Sequence, residues 1–144
     1  MLRYVLALLF TPDRARLVLV EKTRPAWQAG RVNALGGKLR PGETPSDAAR
    51  REVGEEAGVD VAAWDEVLEW RDPMYVMTVV RAFDAAALNA RTAEDQRVFL
   101  SGVDPLPPNV IDNLRWLVPL ALDSDVALPL HVRSSSPTGS GLSE

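Results

Sequence analysis

Residues 37–59 read GKLRPGETPSDAARREVGEEAGV and carry the start, the body and the end of one predicted helix. Thr44 is a typical N-cap residue, Pro45 suits the first helical position, and Asp47 can complete a capping box. Gly58 provides a stop signal. This stretch therefore predicts a helix with well-defined ends.

The predicted helix has an apolar stripe beside an acidic arc. Apolar residues recur at i, i+4 and i+8 and can pack on a core; they are Ala49, Val53 and Ala57. Three carboxylates share the adjacent arc, where like charges repel by roughly 0.2–0.5 kcal/mol per pair; they are Glu52, Glu55 and Glu56. At the centre of the helix, Gly54 costs about 1 kcal/mol relative to alanine, and we interpret it as a point of close packing.

Cations inside this helix are too few to balance its acids. The helix contains two arginines, Arg50 and Arg51, whereas the acids to be balanced are the three clustered glutamates, Glu43 and Asp47. A divalent metal ion is the simplest counter-charge, and carboxylate oxygens favour Mg²⁺, with Mn²⁺ as the alternative, over zinc.

The spacing of the stretch matches the pattern G-x5-E-x7-R-E-U-x-E-E-x-G-U, where U is aliphatic, at every fixed position. It resembles the Nudix box, the motif of the Nudix hydrolase family. The alternative without a functional site, a solvated acidic helix face, does not explain why the glycine, arginine and aliphatic positions also match. The matching residues are Gly37, Glu43, Arg51, Glu52, Val53, Glu55, Glu56, Gly58 and Val59.

The resemblance implies metal-assisted attack of water on a pyrophosphate phosphorus. It implies that Glu52 and Glu56 are metal ligands and that Glu55 is a further ligand or the general base. It also implies that the backbone carbonyl of Gly37 is an additional metal ligand. On a later loop, Asp95 is the candidate for one more metal ligand or base, with the neighbouring Glu94 as the alternative.

Other positions of the box are expected to have supporting roles. Glu43 and Arg51 are interpreted as a structural ion pair that ties the loop to the helix, and Gly58 as structural. Lys38 is a candidate phosphate contact, or simply a solvated lysine beside a glycine turn.

Two segments outside the box resemble the MutT-like 8-oxo-dGTP diphosphatases. In residues 27–38, WQAGRVNALGGK, Asn33 occupies the position of a purine-contacting asparagine, although asparagine beside glycines is also a common turn residue. In residues 111–120, IDNLRWLVPL, Asp112 or Asn113 is expected to read a base edge. Trp116 either stacks on the base or packs in the core.

The leading hypothesis is therefore metal-dependent hydrolysis of a nucleoside triphosphate, including an oxidised one such as 8-oxo-dGTP, to the monophosphate and pyrophosphate. The alternatives are an ADP-sugar or dinucleotide pyrophosphatase and a non-catalytic nucleotide-binding module. A silent module would be expected to lack acids of the box, and none is missing. The protein is expected to act as a monomer or homodimer.

Composition limits the partners and the cellular compartment that are expected for this activity. A formal net charge of −4 argues against a nucleic-acid duplex as the main partner, and the absence of cysteine rules out disulfides and zinc-thiolate sites. The apolar run at residues 4–10 is too short to cross a membrane. These features are consistent with a cytoplasmic enzyme that acts on a small nucleotide.

The pattern of the whole chain predicts an α/β fold, a sandwich with a mixed β-sheet between helices. Strands are predicted at residues 4–11 and 17–22, paired as a hairpin, and at 31–35, 67–71, 74–83 and 97–100. Residues 85–94 are interpreted as a loop. A second helix is predicted from residue 109 or 110, kinked or ended by Pro119. We expect a single domain at residues 1–133 and a disordered Ser/Gly-rich tail at 134–144.

Overall fold

The computed structural model describes residues 1–135, which form one mixed sheet and two α-helices. The strands are β1 (Leu2–Phe10), β2 (Arg16–Glu21), β3 (Val32–Asn33), β4 (Leu35–Lys38), β5 (Asp65–Arg71), β6 (Tyr75–Phe83), β7 (Val98–Gly102) and β8 (Leu130–Arg133). The helices are α1 (Pro45–Ala57) and α2 (Leu114–Leu122). Among the described residues, no helix is long and apolar enough to cross a membrane.

The sheet is mixed, with strand order β3-β2-β1-β6-β5-β8. Strand β4 also pairs with β1, and β7 pairs with β2. The β1–β6 and β5–β8 pairs are parallel, whereas the others are antiparallel. Strands β1 and β2 form the predicted hairpin, in which Phe10 lies opposite Leu17.

The two helices cover opposite faces of the sheet, and the alternation of β1 shows why. Its odd-numbered residues from Val5 to Leu9 join the core beneath α1, whereas the even-numbered residues from Leu6 to Phe10 join the core beneath α2. A strand that is apolar on both faces must be covered on both. The predicted α/β sandwich with a mixed sheet between helices is confirmed.

The ends of α1 lie where the sequence predicts them. The Thr44 side chain accepts a hydrogen bond from the backbone of Asp47, and the Asp47 side chain accepts one from the backbone of Thr44, which completes a capping box. Gly58 ends the helix in the left-handed conformation, with φ 71°. The interpretation of Gly54 is wrong, because a Cβ added there would meet only the Val59 carbonyl oxygen, at an ordinary 3.7 Å.

The C-terminal part of the described chain differs most from expectation. Val110 and Ile111 precede α2, because Val110 pairs with Val32 and the Ile111 N–H donates to the Val32 carbonyl. Pro119 lies inside α2, which continues for three more residues. Strand β8 was not predicted; it pairs in parallel with β5 and is followed by Ser134, whose N–H donates to Arg71. The remainder of the predicted tail, from residue 136, lies outside the described residues.

Two further segments are more regular than predicted. Residues 36–38 belong to β4 rather than to a glycine turn, since Gly36 and Gly37 pair with Leu6 and Val5 of β1. Within the predicted loop at 85–94, the segment Ala85–Asn89 is a 3₁₀ helix, with Asp84 accepting a hydrogen bond from Ala86 at its start.

Candidate active site

Glu56 is the buried member of the acidic arc on α1. Its relative exposure is 8%, and its Oε1 accepts a hydrogen bond of 3.0 Å from the Gly36 N–H of β4. Burial raises the pKa of this carboxyl to about 7, an effect that the Gly36 hydrogen bond partly opposes and the charge of Glu52 reinforces. Glu56 is therefore a carboxylate that lacks sufficient positive charge around it.

The glycines of β4 allow this strand to lie against the acids of α1. Gly36 has a φ of 150°, and a Cβ added there would collide with the Val5 carbonyl of β1. A Cβ added at Gly37 would lie 2.6 Å from Oε1 of Glu52. Any larger residue would displace either the strand or the carboxylate, so the two glycines are a steric condition for the site.

Arg51 organises the remaining acids of the box. Its guanidinium forms a bidentate pair with Glu43, with Nε–Oε2 and Nη2–Oε1 distances of 2.7 and 2.8 Å. Its Nη1 donates to Glu52 at 2.8 Å and to Glu55 at 3.2 Å, and its Nη2 donates to the Lys38 carbonyl at 3.0 Å. The Arg51 hydrogen bonds lower the pKa of Glu43 to about 2. Arg51 thus connects the loop, strand β4 and two acids of the helix.

Glu52 and Lys22 are both partly buried charged residues of the site. Burial raises the pKa of Glu52 despite its hydrogen bond with Arg51. Burial lowers the pKa of Lys22, while the charges of Glu56 and Glu52 oppose that shift. Sequence analysis missed Lys22, because a lysine at the end of an apolar strand carries no motif; it provides a half-buried ammonium group beside the acidic pair.

The loop after the 3₁₀ helix docks on the C-terminal end of α1. Backbone N–H groups of Arg91 and Ala93 donate to the carbonyls of Ala57 and Glu56, at 3.0 and 3.1 Å. Burial is the main cause of the raised pKa values of Glu52 and Glu56, and the charge of the following Glu94 makes a smaller contribution in the same direction. Of the two loop acids, Glu94 therefore acts electrostatically on the helix acids.

Asp95, the predicted ligand, is engaged elsewhere. Its carboxylate forms a bidentate ion pair with Arg24, at 2.7 and 3.2 Å, and its side chain is 65% exposed. The Arg24 hydrogen bond lowers the pKa of Asp95.

The donor set of the acidic arc fits a hard divalent cation. Glu52 supplies carboxylate oxygens beside Gly37, and Glu56 supplies its own beside Gly36; both carboxyl pKa values are raised, so a positive charge placed between them would be favourable. As their side chains are arranged, no group of three His, Cys, Asp or Glu residues within 1–135 is set to hold an ion. Arg51 holds both Glu52 and Glu55, which accounts for their present orientation.

The predicted base-reading residues lie around β3 and the start of α2. Asn33 is half-buried on β3, where its Nδ2 donates to Gln28 and its Oδ1 accepts from the Ala34 N–H. Asp112 is exposed and ion-paired with Arg31 at 2.8 Å. The pairing of Val32 with Val110 brings the two segments together.

The other two candidates lie at the first turn of α2. The Oδ1 atom of Asn113 is buried and has no hydrogen-bond partner among the described residues. Trp116 is 41% exposed and contacts Trp70, with ring centroids 5.7 Å apart. The side chain of Lys38, the candidate phosphate contact, is exposed.

Comparisons with known proteins show the family and the fold. The model of the NUDIX domain matches residues 1–133. The oxidized purine nucleoside triphosphate hydrolase of Mus musculus is 43% identical over 58 residues, which are 40% of this chain. That match spans only 35% of the mouse protein.

Solved structures share the fold at low sequence identity. A MutT Nudix hydrolase from Burkholderia pseudomallei superposes with a TM-score of 0.67 at 22% identity, covering 83% of this chain and 96% of the other. A Nudix hydrolase from Nitrosomonas europaea gives a TM-score of 0.70 at 17% identity, covering 92% and 79%. Nudix hydrolases generally need divalent metal ions. With the matched domain and the acidic arc on α1, the chain belongs to the Nudix hydrolase family.

Proposed function

We propose that this protein is a Mg²⁺-dependent pyrophosphohydrolase that converts a nucleoside triphosphate, with oxidised purines such as 8-oxo-dGTP included, to the monophosphate and pyrophosphate. The observation that carries the proposal is the pair formed by Glu56 and Glu52. Burial raises both carboxyl pKa values, and the charge of the half-buried Lys22 offsets only part of the shift at Glu56. A divalent ion would relieve this shortage of positive charge.

Each residue of the site has a proposed part in this reaction. Glu52 and Glu56 would hold the ion together with the Gly37 carbonyl. Glu55 lies beside them, either as a third ligand or as the acceptor of the proton that the attacking water loses. With Mg²⁺ bound, the site gains neutralisation of phosphate charge and a more acidic water molecule. Mn²⁺, a similar hard cation, is expected to substitute.

Positive side chains and loop residues complete the proposed site. Lys22 is proposed to contact the phosphates, because it is half-buried and its charge interacts with those of Glu56 and Glu52. Glu94 is proposed as the loop acid that assists the metal site, since its charge acts on Glu52 and Glu56. Arg51 and Glu43 keep the box together without touching the substrate.

The purine preference is supported by the base-side residues and by the mouse relative. Asn33 offers both a donor and an acceptor, which suits a purine edge, and Asn113 at the start of α2 is proposed as a second base contact. Trp116 is exposed and can stack on a ring. The relative named as an oxidized purine nucleoside triphosphate hydrolase makes 8-oxo-dGTP the first substrate to test. Because free nucleotides are its proposed substrates, we propose that it acts in the cytoplasm.

A substrate panel tests the proposal directly. Purified protein is incubated with dGTP, 8-oxo-dGTP, ADP-ribose or NADH, with Mg²⁺ or with EDTA, and release of pyrophosphate, phosphate and monophosphate is measured. We expect pyrophosphate from the triphosphates in Mg²⁺ and none in EDTA. Hydrolysis of only ADP-ribose or NADH would favour the ADP-sugar or dinucleotide alternative. Binding without any turnover would favour a silent module.

A further inference from the structure

Gln28, in the loop between β2 and β3, forms a side-chain hydrogen bond with Asn33. Its Oε1 accepts a hydrogen bond of 3.0 Å from Asn33 Nδ2. Both residues are half-buried. The Gln28 backbone is held on both sides, since its N–H donates to Pro25 and its carbonyl accepts from Arg31, each at 2.9 Å.

The contact with Ala34 sets which way the Asn33 amide faces, and the contact with Gln28 stabilises that orientation. Its Oδ1 accepts from the Ala34 N–H at 2.8 Å, while its Nδ2 donates to Gln28. A reversed amide would place NH₂ against the Ala34 N–H and oxygen against the Gln28 oxygen. In the observed orientation, Asn33 retains one N–H and one acceptor lone pair for a ligand.

Asn33 is also close to the proposed reaction centre along the chain. It lies three residues before Gly36, whose N–H binds Glu56. A consecutive segment of three residues spans at most about 10 Å, a distance that a nucleotide can bridge between its base and its phosphates.

We propose that Gln28 is a positioning residue for recognition of the purine base: it holds the Asn33 amide in the orientation that matches the donor and acceptor on the purine edge. This inference rests on the proposed function, in which Asn33 reads the base. Gln28 acts through Asn33 and does not touch the reacting phosphates. Its loss should therefore weaken purine binding without slowing the chemical step.

The test compares Gln28→Met, which keeps the length of the side chain but has no acceptor, with Gln28→Glu, which keeps an acceptor oxygen. For Gln28→Met we expect KM for dGTP to rise about 3- to 10-fold, as one lost hydrogen bond implies, with kcat unchanged. The ratio of kcat/KM for dGTP to that for dTTP should fall by the same factor. Gln28→Glu should recover at least half of the lost affinity.

A matched control separates base recognition from loop stability. Thr23→Val removes a side-chain contact with Gln96 at the start of the same loop, without touching Asn33. It should leave the purine-to-pyrimidine ratio unchanged. If Thr23→Val and Gln28→Met reduce all substrates equally, or if Gln28→Glu rescues nothing, Gln28 has only a structural role and the inference is wrong.

Binding provides a readout that does not require turnover. The dissociation constant of dGMP, measured by calorimetry, should rise about 3- to 10-fold in Gln28→Met and much less in Gln28→Glu. Wild-type protein that binds dGMP but hydrolyses no triphosphate would refute the proposed function while the dGMP series still decides the role of Gln28. An active wild type with identical dGMP affinity in both variants would refute only the inference, and no dGMP binding by the wild type would refute both.

Discussion

Replacing Glu56 with glutamine should remove a buried charge while keeping the contact that holds the side chain in place. Glutamine retains an Oε1 that can accept from the Gly36 N–H, the only hydrogen bond recorded for the Glu56 carboxylate within the described residues. The neutral amide avoids the repulsion of Glu52 and Glu94. We therefore expect Glu56→Gln to fold.

The effect on stability depends on pH, and its sign follows from the direction of the pKa shift. Burial raises the pKa of Glu56 from 4.5 to about 7, so between these values the native state keeps a proton that the unfolded state has lost. The free energy of unfolding of the metal-free protein should fall as pH rises through this interval and level off above it. The gap corresponds to about 3 kcal/mol at pH 8. Glu56→Gln has no proton to lose there and should escape this decline.

The assay is urea unfolding of EDTA-treated wild type and variant at pH 5 and pH 8. The variant should have a stability similar to the wild type at pH 5 and exceed it by about 2–3 kcal/mol at pH 8. Glu55→Gln is the matched control, because Glu55 is 40% exposed and paired with Arg51 and Arg40, and it should show no such gain. If the free energy of unfolding depends on pH equally in wild type and Glu56→Gln, Glu56 is not a buried carboxylate that lacks compensating charge.

The same variant tests the metal site. Mg²⁺ should stabilise the wild type most at pH 8, where Glu56 is ionised, and should have little effect on Glu56→Gln. Metal-dependent turnover should fall by at least about 100-fold, because a metal ion supplies several kcal/mol of transition-state stabilisation. Normal hydrolysis of every panel substrate by the variant would show that Glu56 is not a ligand.

Three further predictions concern the box and its neighbouring loop. Gly54→Ala should raise the free energy of unfolding by up to about 1 kcal/mol in urea denaturation, because the added methyl group has room in the helix; a loss of stability would contradict this. Arg51→Lys should lower it by about 1–3 kcal/mol, since lysine cannot form the bidentate pair with Glu43; an unchanged midpoint would show that the pair is dispensable. Glu94→Gln should reduce kcat at low Mg²⁺ concentration more than Asp95→Asn does, and the reverse order would favour Asp95 as the metal-site acid.

Local signals predicted α1 because every determinant of that helix lies within it. The capping box, the proline at the first turn and the glycine stop act over three or four residues, and the structure places the ends of α1 accordingly. The acidic arc follows from the same periodicity. The hairpin of β1 and β2 could be predicted equally well, since its turn and its apolar runs are adjacent in the chain.

Elements that depend on distant partners were missed or misplaced. Strand β8 has four residues and pairs with β5, more than sixty positions earlier, so nothing in its own sequence indicates the pairing. Val110 and Ile111 continue the apolar spacing of α2, but their backbone pairs with Val32 instead. Glycines 36 and 37 were compatible with a tight turn or with close approach of the backbone to a ligand; in the structure both belong to β4, where Gly36 lies against the Val5 carbonyl of β1 and Gly37 against Glu52 of α1. For the same reason, Lys22 could not be recognised: its role depends on the burial that the packed site creates.

Positive charge is unevenly distributed over the acids of the box, and this distribution indicates that a cation is needed at Glu56. Arg51 compensates Glu43, Glu52 and Glu55 through direct hydrogen bonds, so these three acids are at least partly neutralised within the protein. Within the described residues, the Glu56 carboxylate has a backbone N–H as its hydrogen-bond donor and the charge of Lys22 acting on it without a hydrogen bond, and it is the most buried of the four. A stable fold would be expected to place its least compensated carboxylate at the surface, where water would solvate it. The opposite arrangement costs stability, and such a cost is typical of a functional site, since binding a divalent ion at Glu56 would reverse it.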